Sequence, residues 1–470
     1  MKLWFFSVIL ALGFRGPLLA EGLLVGWSSA SITPDRPVAL SGQFHTRISQ
    51  AVHDPITATA LALDNGSQQA VMVSLDLISV SPPLVEAVRE KLKKALPDFQ
   101  ADKLVLNATH THTAPDVDNA YPVPEGVMTS AEYVDFLTEL VAGAVVRAWQ
   151  TRRPAGVSWG LGHAVIGYNR RAIFADGTSI MYAPLTRPDF LGFEGSEDHG
   201  VELLFFWTPE QKLTGIGINI ACPAQALGRE SFISADFWHD ARVELRKRYG
   251  DELFVFPMIG AAGDQSPHVQ LRKAAESKMR KRLGISVTSQ IARRIVQAVD
   301  DVYPAAAANI RNEVPFAHRV EELRLPVRRV TQAEMEAAEL EYARLEKTPD
   351  DDEKRYVTMQ WILSIMERYR RQDSEAEFPM ELHVIRLGDV ALATNPFELF
   401  LDFGLRMKAR SRAELTLIVE LANGAGDYLP TAKGVAGGGY GAEISSNLVG
   451  PEGGQILVDR TVTLIHSLFE

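Results

Sequence analysis

Lys103-Leu104-Val105-Leu106-Asn107-Ala108-Thr109-His110-Thr111-His112-Thr113-Ala114-Pro115 decides how the rest of the chain is read. Its apolar start predicts a strand entering the core. Side chains alternate along a strand, so His110 and His112 are expected on one face at the strand end. Two neighbouring imidazoles so placed can hold a divalent metal, and the flanking threonine hydroxyls can orient the rings. Ala114-Pro115-Asp116 then turns the chain away. The same residues also describe a polar turn with two hydrogen-bonded histidines, so the decision rests on what surrounds them.

Upstream, the alternating Ile56–Leu63 run predicts a half-buried strand, and Gln69–Asp76 predicts another that ends in an acid. Between that acid and the histidines, Leu84, Val85, Val88 and Leu92 are spaced as one helix face from Pro82 to Ala95. A second helix is expected over Ser130–Gln150, stopped by Arg152-Arg153-Pro154. Lys273–Val302 reads as one amphipathic helix with Met279, Leu283, Val287, Ile291 and Ile295 inward. Strands alternate with helices and polar groups gather at strand ends. The expectation is a mixed α/β fold: central mixed β-sheets flanked by α-helices in one large domain over residues 21–470. The charged stretch Thr331–Arg371 reads as a helical surface insertion (330–372) whose Glu, Lys and Arg residues face solvent and carry no chemistry. The glycines of Trp159-Gly160-Leu161-Gly162 do not lie between a strand and a helix, which removes a dinucleotide fingerprint.

The 470-residue chain has 46% hydrophobic and 23% charged residues, ordinary values for a globular protein. A net charge of -11 and the lack of a basic stripe argue against a nucleic-acid partner. Lys2, the apolar run Leu3–Phe14 and Leu18-Leu19-Ala20 read as a signal peptide over residues 1–20, which predicts an exported protein, periplasmic or secreted. The single cysteine, Cys222, cannot form an internal disulfide, so it is buried, ligated or reactive.

Further polar candidates follow apolar runs. Asn169-Arg170-Arg171 sits in an expected turn, where Arg170 either faces solvent or aims its guanidinium into a cleft. Gly263-Asp264-Gln265-Ser266-Pro267 follows a strand and suits a nucleophile or backbone donors, or is an ordinary Gly-Asp turn. Glu398, after a strand and a proline turn, is costly to bury unless a cation meets it. A glycine-rich loop between Asp427-Tyr428-Leu429 and Tyr440 permits a flexible lid or a close backbone approach, or is a mobile surface loop with exposed tyrosines.

In this order, T-H-T-H, an apolar strand ending in x-P near S-A-D, G-D-x-S-P, P-x-E and N-x-x-x-x-Y resemble the neutral/alkaline (non-lysosomal) ceramidase family, over nearly the whole mature chain. That family hydrolyses the amide of N-acylsphingosine with one zinc ion. The resemblance implies His110, Glu398 and Tyr428 as zinc ligands, with Cys222 where the family has a second zinc histidine. It also implies His112 in the active site, Ser266 as the catalytic serine, Tyr440 as an oxyanion donor and Arg170 as an active-site arginine. A thiolate is a good zinc ligand, more electron-rich than imidazole, and Gln225 or His239 could help instead. The expected function is zinc-dependent hydrolysis of an N-acyl amide, ceramide-like or a related lipid, compatible with peripheral membrane contact. Its rivals are a non-catalytic exported binding protein of the same fold and a metal-dependent hydrolase of another amide or ester.

Overall fold

The computed structural model describes residues 22–348 and 354–470. The expected signal peptide lies outside these residues.

Three larger sheets carry the fold. The first runs Leu104–Ala108, Gln69–Leu75, Thr57–Asp64, Leu24–Ser31 and Arg153–Pro154 across its width. The second runs Phe254–Ile259, Leu213–Ile220, Gly200–Trp207 and Gly156–His163, and the third Phe316–Pro326, Glu377–Leu387, Val390–Thr394 and Leu415–Val419. All three share one device. Most neighbours are antiparallel, but each sheet contains one parallel pair: Gln69–Leu75 with Leu104–Ala108, Leu213–Ile220 with Phe254–Ile259, and Val390–Thr394 with Leu415–Val419. Parallel neighbours need a crossover. The helices Pro82–Ala95, Phe237–Tyr249 and Leu401–Arg410 supply one each.

The expected mixed α/β architecture is therefore present, and packing explains its layers. One face of each sheet meets the others in a shared core that includes Leu61, Val105, Phe206, Met258, Leu392 and Val419. The opposite faces are covered by their own helices: Ser130–Gln150 with Pro82–Ala95, Val287–Ala308 with Phe237–Tyr249, and Pro451–Leu468 with Leu401–Arg410. Burying one such aliphatic or aromatic side chain stabilises by about 1.5–3 kcal/mol, so each parallel unit is fixed firmly against its neighbours. Their carboxyl ends meet. Ala108 N donates to Leu421 O (3.2 Å), Gly260 N to Ile220 O (2.8 Å), Glu420 N to Ile259 O (3.0 Å) and Asn395 N to Val419 O (2.9 Å).

Two expectations need correction. Lys273–Val302 is not one helix: Lys273–Leu283 ends at Gly284, whose left-handed φ of 63° breaks the run before Val287–Ala308, and Met279 and Leu283 are exposed. The 331–371 stretch does form two helices, Gln332–Leu345 and Arg355–Arg371, but its face is not wholly solvated, because Val357 and Trp361 reach a cavity.

Candidate active site

Where the strand ends meet, a cavity of about 440 Å³ opens. Of the eight residues singled out in the sequence, His110, His112, Glu398, Tyr428 and Tyr440 line it. Arg170, Ser266 and Cys222 stand outside its wall.

The histidine pair reaches the cavity by a route other than strand alternation. The strand ends at Ala108, and His110 adopts a left-handed backbone (φ 58°) in the segment that follows. The two rings lie 4.9 Å apart at 75°. The threonines hold the segment rather than the rings. Thr109 N donates to Leu75 O and Thr111 N to Leu77 O, while the Thr111 and Thr113 hydroxyls both donate to Ser234 O at 2.9 Å. Below them, buried Asp76 accepts a bidentate pair from Arg242 (2.8 and 2.9 Å). The ring of His110 is oriented by Ile78 O, 2.8 Å from Nδ1, which fixes the proton there and leaves Nε2 as an acceptor. Gly42 lies so close to His112 that a Cβ would sit 2.4 Å from its Nδ1, and it has a left-handed φ of 94°. Burial, then the neighbouring His110, Arg170 and Arg47, hold the His112 imidazole well below its usual pKa, so it is neutral.

Glu398 is placed by a short parallel pairing with Tyr428. Gly263 packs against the Glu398 carbonyl, where a Cβ would approach to 2.3 Å. Glu398 Oε2 lies 3.4 Å from His110 Nε2, longer than the usual N–H···O hydrogen bond. Two donors bound to one tetrahedral ion at about 2.0–2.1 Å are separated by about 3.3 Å, so this spacing suits a shared cation. The residues thus fit a metal site: an imidazole nitrogen with its far nitrogen anchored, a carboxylate and a phenol, beside the buried Nε2 of His112, which has no hydrogen-bond partner. Among the described residues no three His, Cys, Asp or Glu side chains gather closely enough to hold an ion by themselves. The third donor here is Tyr428, whose pKa is pushed well up by burial and by Glu398, so only a nearby cation would release its proton.

Arg170 is buried behind Tyr428, not solvated in a turn. Its Nη2 donates to Gly263 O (2.8 Å) and to the Tyr428 hydroxyl (3.2 Å), and lies 3.9 Å from Glu398 Oε2. Its Nη1 donates to the Tyr182 hydroxyl (3.0 Å), which donates in turn to Ser266 Oγ (3.0 Å). Burial lowers the pKa of this guanidinium, but the surrounding Tyr182, Tyr428 and Glu398 outweigh it and raise the value. Ser266 is fully buried, and its Oγ accepts from the Tyr182 hydroxyl and from His268 N (3.1 Å). Cys222 lies in the apolar core under the second sheet, with Sγ directed at Ile166 O (3.5 Å) and Pro223 O (3.7 Å). Burial raises its pKa well above that of a free thiol, and the structure does not bring it to the cavity.

Of the alternatives for the glycine-rich loop, the structure shows close backbone approach: a Cβ at Gly439 would sit 2.4 Å from Ser179 O. Fully buried Arg171 pairs with Glu194 (2.9 and 3.0 Å) and donates to the carbonyls of Tyr440 (2.8 Å), Gly438 (2.7 Å) and Gly434 (3.3 Å). Two buried carboxylates knit the floor: Glu420, missed in the sequence, and Asp264 of the Gly-Asp motif. Glu420 accepts from Leu399 N (2.9 Å) and Ala262 N (3.1 Å), and Asp264 from Leu401 N (2.9 Å) and Asn169 Nδ2 (2.8 Å). Phe44 and Trp361, also missed, complete the wall beside Tyr440.

A mixed α/β fold with polar groups at the carboxyl ends of its parallel strands is a widespread enzyme architecture. Comparison with solved structures narrows it. A neutral ceramidase from Pseudomonas aeruginosa matches with a TM-score of 0.71 and 17% identity, over 95% of this chain and 75% of that one. A second, a ceramidase complexed with C2, matches with a TM-score of 0.67 and 16% identity, over 95% and 76%. The chain has the neutral ceramidase fold, as the ordered motifs implied. No protein-family profile and no curated protein matches it.

Proposed function

We propose that this protein is a zinc-dependent amidohydrolase that cleaves an N-acyl amide, ceramide-like or a related lipid, and that it acts after export. The observation that carries this reading is the 3.4 Å approach of His110 Nε2 to Glu398 Oε2 on the wall of a cavity shared with Tyr428, Tyr440 and His112. The ceramidase fold of the two neighbours supports the reaction class, and the leader-like residues 1–20 support export. Among the described residues no helix is long and apolar enough to cross a membrane.

His110, Glu398 and Tyr428 would hold the ion. When bound, zinc polarises a carbonyl and lowers the pKa of water to about 7. The chain's own groups do the rest. His112, neutral at working pH, accepts a proton at Nε2 and returns it to the leaving nitrogen. Tyr440, kept protonated by burial and then by Glu398, donates its hydroxyl proton in a hydrogen bond to the carbonyl oxygen as negative charge develops there. Arg170 acts from behind, fixing the Tyr428 hydroxyl and placing a buried positive charge beside Glu398. Ser266 holds Tyr182 against Arg170.

The test is a panel of N-acyl amides and matched esters, with amine or alcohol release measured before and after chelation and after zinc is restored. The reading expects amide turnover that chelation abolishes and zinc restores. Ester turnover alone selects the rival hydrolase, and no turnover selects a binding protein of the same fold.

A further inference from the structure

One helix of this fold is turned inside out. Lys273–Leu283 has no buried residue. Residues four apart line up as rows along a helix. The row of Glu276 and Arg280 faces the body: Glu276 pairs with Arg294 (3.3 Å), and Arg280 Nη1 donates to Gln290 Oε1 (3.2 Å). The next row outward is Ala275, Met279 and Leu283, with Met279 46% and Leu283 55% exposed. Beside it run Lys278 with Arg282, then Lys273 with Lys281, all exposed. A surface helix ordinarily buries its apolar row and turns its charges out. Here the break at Gly284 leaves Met279 and Leu283 out of phase with the buried Ile291 and Ile295 of the following helix.

The charge of this segment also runs against that of the chain. Between Leu271 and Gly284 stand Arg272, Lys273, Lys278, Arg280, Lys281 and Arg282 against the single acid Glu276, in a chain of net charge -11. The acidic balance of the whole sequence hides this local reversal, and the expected lack of a basic stripe does not hold on this one helix. The apolar surface continues beside it. Leu271 (52%) and Val165 (47%) are exposed on the rim of a cleft of about 660 Å³ that Glu276 and Arg294 also line.

We propose that the helix Lys273–Leu283 docks the protein on an anionic lipid bilayer, with Met279 and Leu283 entering the interface and Lys278, Lys281 and Arg282 meeting the lipid phosphates. An apolar row edged by cations is the pattern of a helix that lies in a membrane interface. A nucleic acid would use the cations but gain little from exposed Met and Leu side chains, which favours lipid. The acidic remainder of the chain does not prevent approach, because exposed charges more than about 8 Å apart are largely screened at physiological ionic strength. None of the helix's residues lines the candidate active site. Docking is therefore separable from the reaction, and the inference stands whether or not the amidohydrolase reading does.

The experiment is co-sedimentation of the protein with vesicles of phosphatidylcholine alone, or mixed with an equal part of phosphatidylglycerol. It compares wild type with three multiple variants, all at exposed side chains and each checked for folding by circular dichroism. Wild type is expected to bind the mixed vesicles, not phosphatidylcholine alone, and to bind more weakly as salt rises. Lys278→Gln/Lys281→Gln/Arg282→Gln is expected to weaken that binding on the order of 100-fold, since each basic residue near an anionic surface contributes about fivefold. Met279→Ser/Leu283→Ser should weaken it about tenfold. Removing three charges elsewhere, in Lys93→Gln/Lys94→Gln/Lys212→Gln, should change it less than about threefold. The inference is overturned if wild type does not bind the mixed vesicles, if the two charge variants lose binding equally, or if the Met279 and Leu283 variant binds as wild type does. Duplex DNA is the competing polyanion. Binding to it as tight as to the vesicles at the same salt would make the helix a general cationic surface and would also overturn the inference.

Discussion

His110, Glu398 and Tyr428 stand at or just beyond strand ends, on backbone locked by the shared core of three sheets, whereas Trp361 stands on a charged helix of a separate hairpin. The floor of the cavity is made rigid by burial and by backbone hydrogen bonds between parallel units. The roof, the side on which Trp361 stands, is an appended layer held by a few side chains. Rigid elements suit groups that must meet within tenths of an ångström, and an appended layer can vary without disturbing them. The difference predicts that floor substitutions act on kcat and metal binding, and roof substitutions on KM.

The largest effect should come where the two are joined. Arg171→Met leaves Glu194 and three carbonyls unpaired in a buried site, and is expected to cost about 3–5 kcal/mol in urea unfolding while loosening the Tyr440 loop. A loss under 1 kcal/mol would mean that the roof does not depend on this clamp. Next, Tyr440→Phe removes one donor and keeps the ring stack, so kcat should fall about 100- to 1000-fold with little change in KM. A change confined to KM would move Tyr440 from the chemistry to the roof.

Glu420→Gln sharpens the account of the floor through pH. Burial holds the Glu420 carboxyl well above its usual pKa. For such an acid the folded state binds the proton more tightly than the unfolded one. Its stabilising contribution is therefore full below about pH 4.5 and is lost as pH rises through the folded value, by at most about 1.4 kcal/mol per pH unit. Glutamine keeps an oxygen for Leu399 N and Ala262 N but cannot ionise. In chelator, the stability of Glu420→Gln relative to wild type should improve from pH 5 to pH 8, and an opposite trend would show a cationic partner for Glu420. The smallest effect is expected from Cys222→Ala, about 1 kcal/mol of lost packing with metal content unchanged, because Sγ faces two backbone carbonyls in an apolar core. Loss of the metal in that variant would place the thiol among the ligands.

What the sequence made legible follows the same division. The floor residues lie in short contiguous motifs next to apolar strands, so His110, Glu398 and Tyr428 could be found one motif at a time. The reason given for the histidine pair was wrong in detail, since the strand stops at Ala108 and His110 turns left-handed. Motif order also put Cys222 in a ligand slot, but a motif says nothing of where a side chain points. Trp361 was missed because its helix is rich in charge and carries two apolar stripes, Val357 with Trp361 and Ile362 with Ile365. Periodicity shows that stripes exist, not which of them faces a cavity. Arg171, Glu194, Asp264 and Glu420 hold partners far away in the chain, pairings that no local pattern encodes.

The central claim is that His110 and Glu398 share one cation. Metal analysis of zinc-loaded, desalted protein tests it most directly, in wild type and in His110→Ala and Glu398→Gln, each checked for folding by circular dichroism. About one zinc per wild-type chain, lost in both folded variants, is the predicted result. A wild type that retains no metal, or variants that hold it as well as wild type does, would contradict the account.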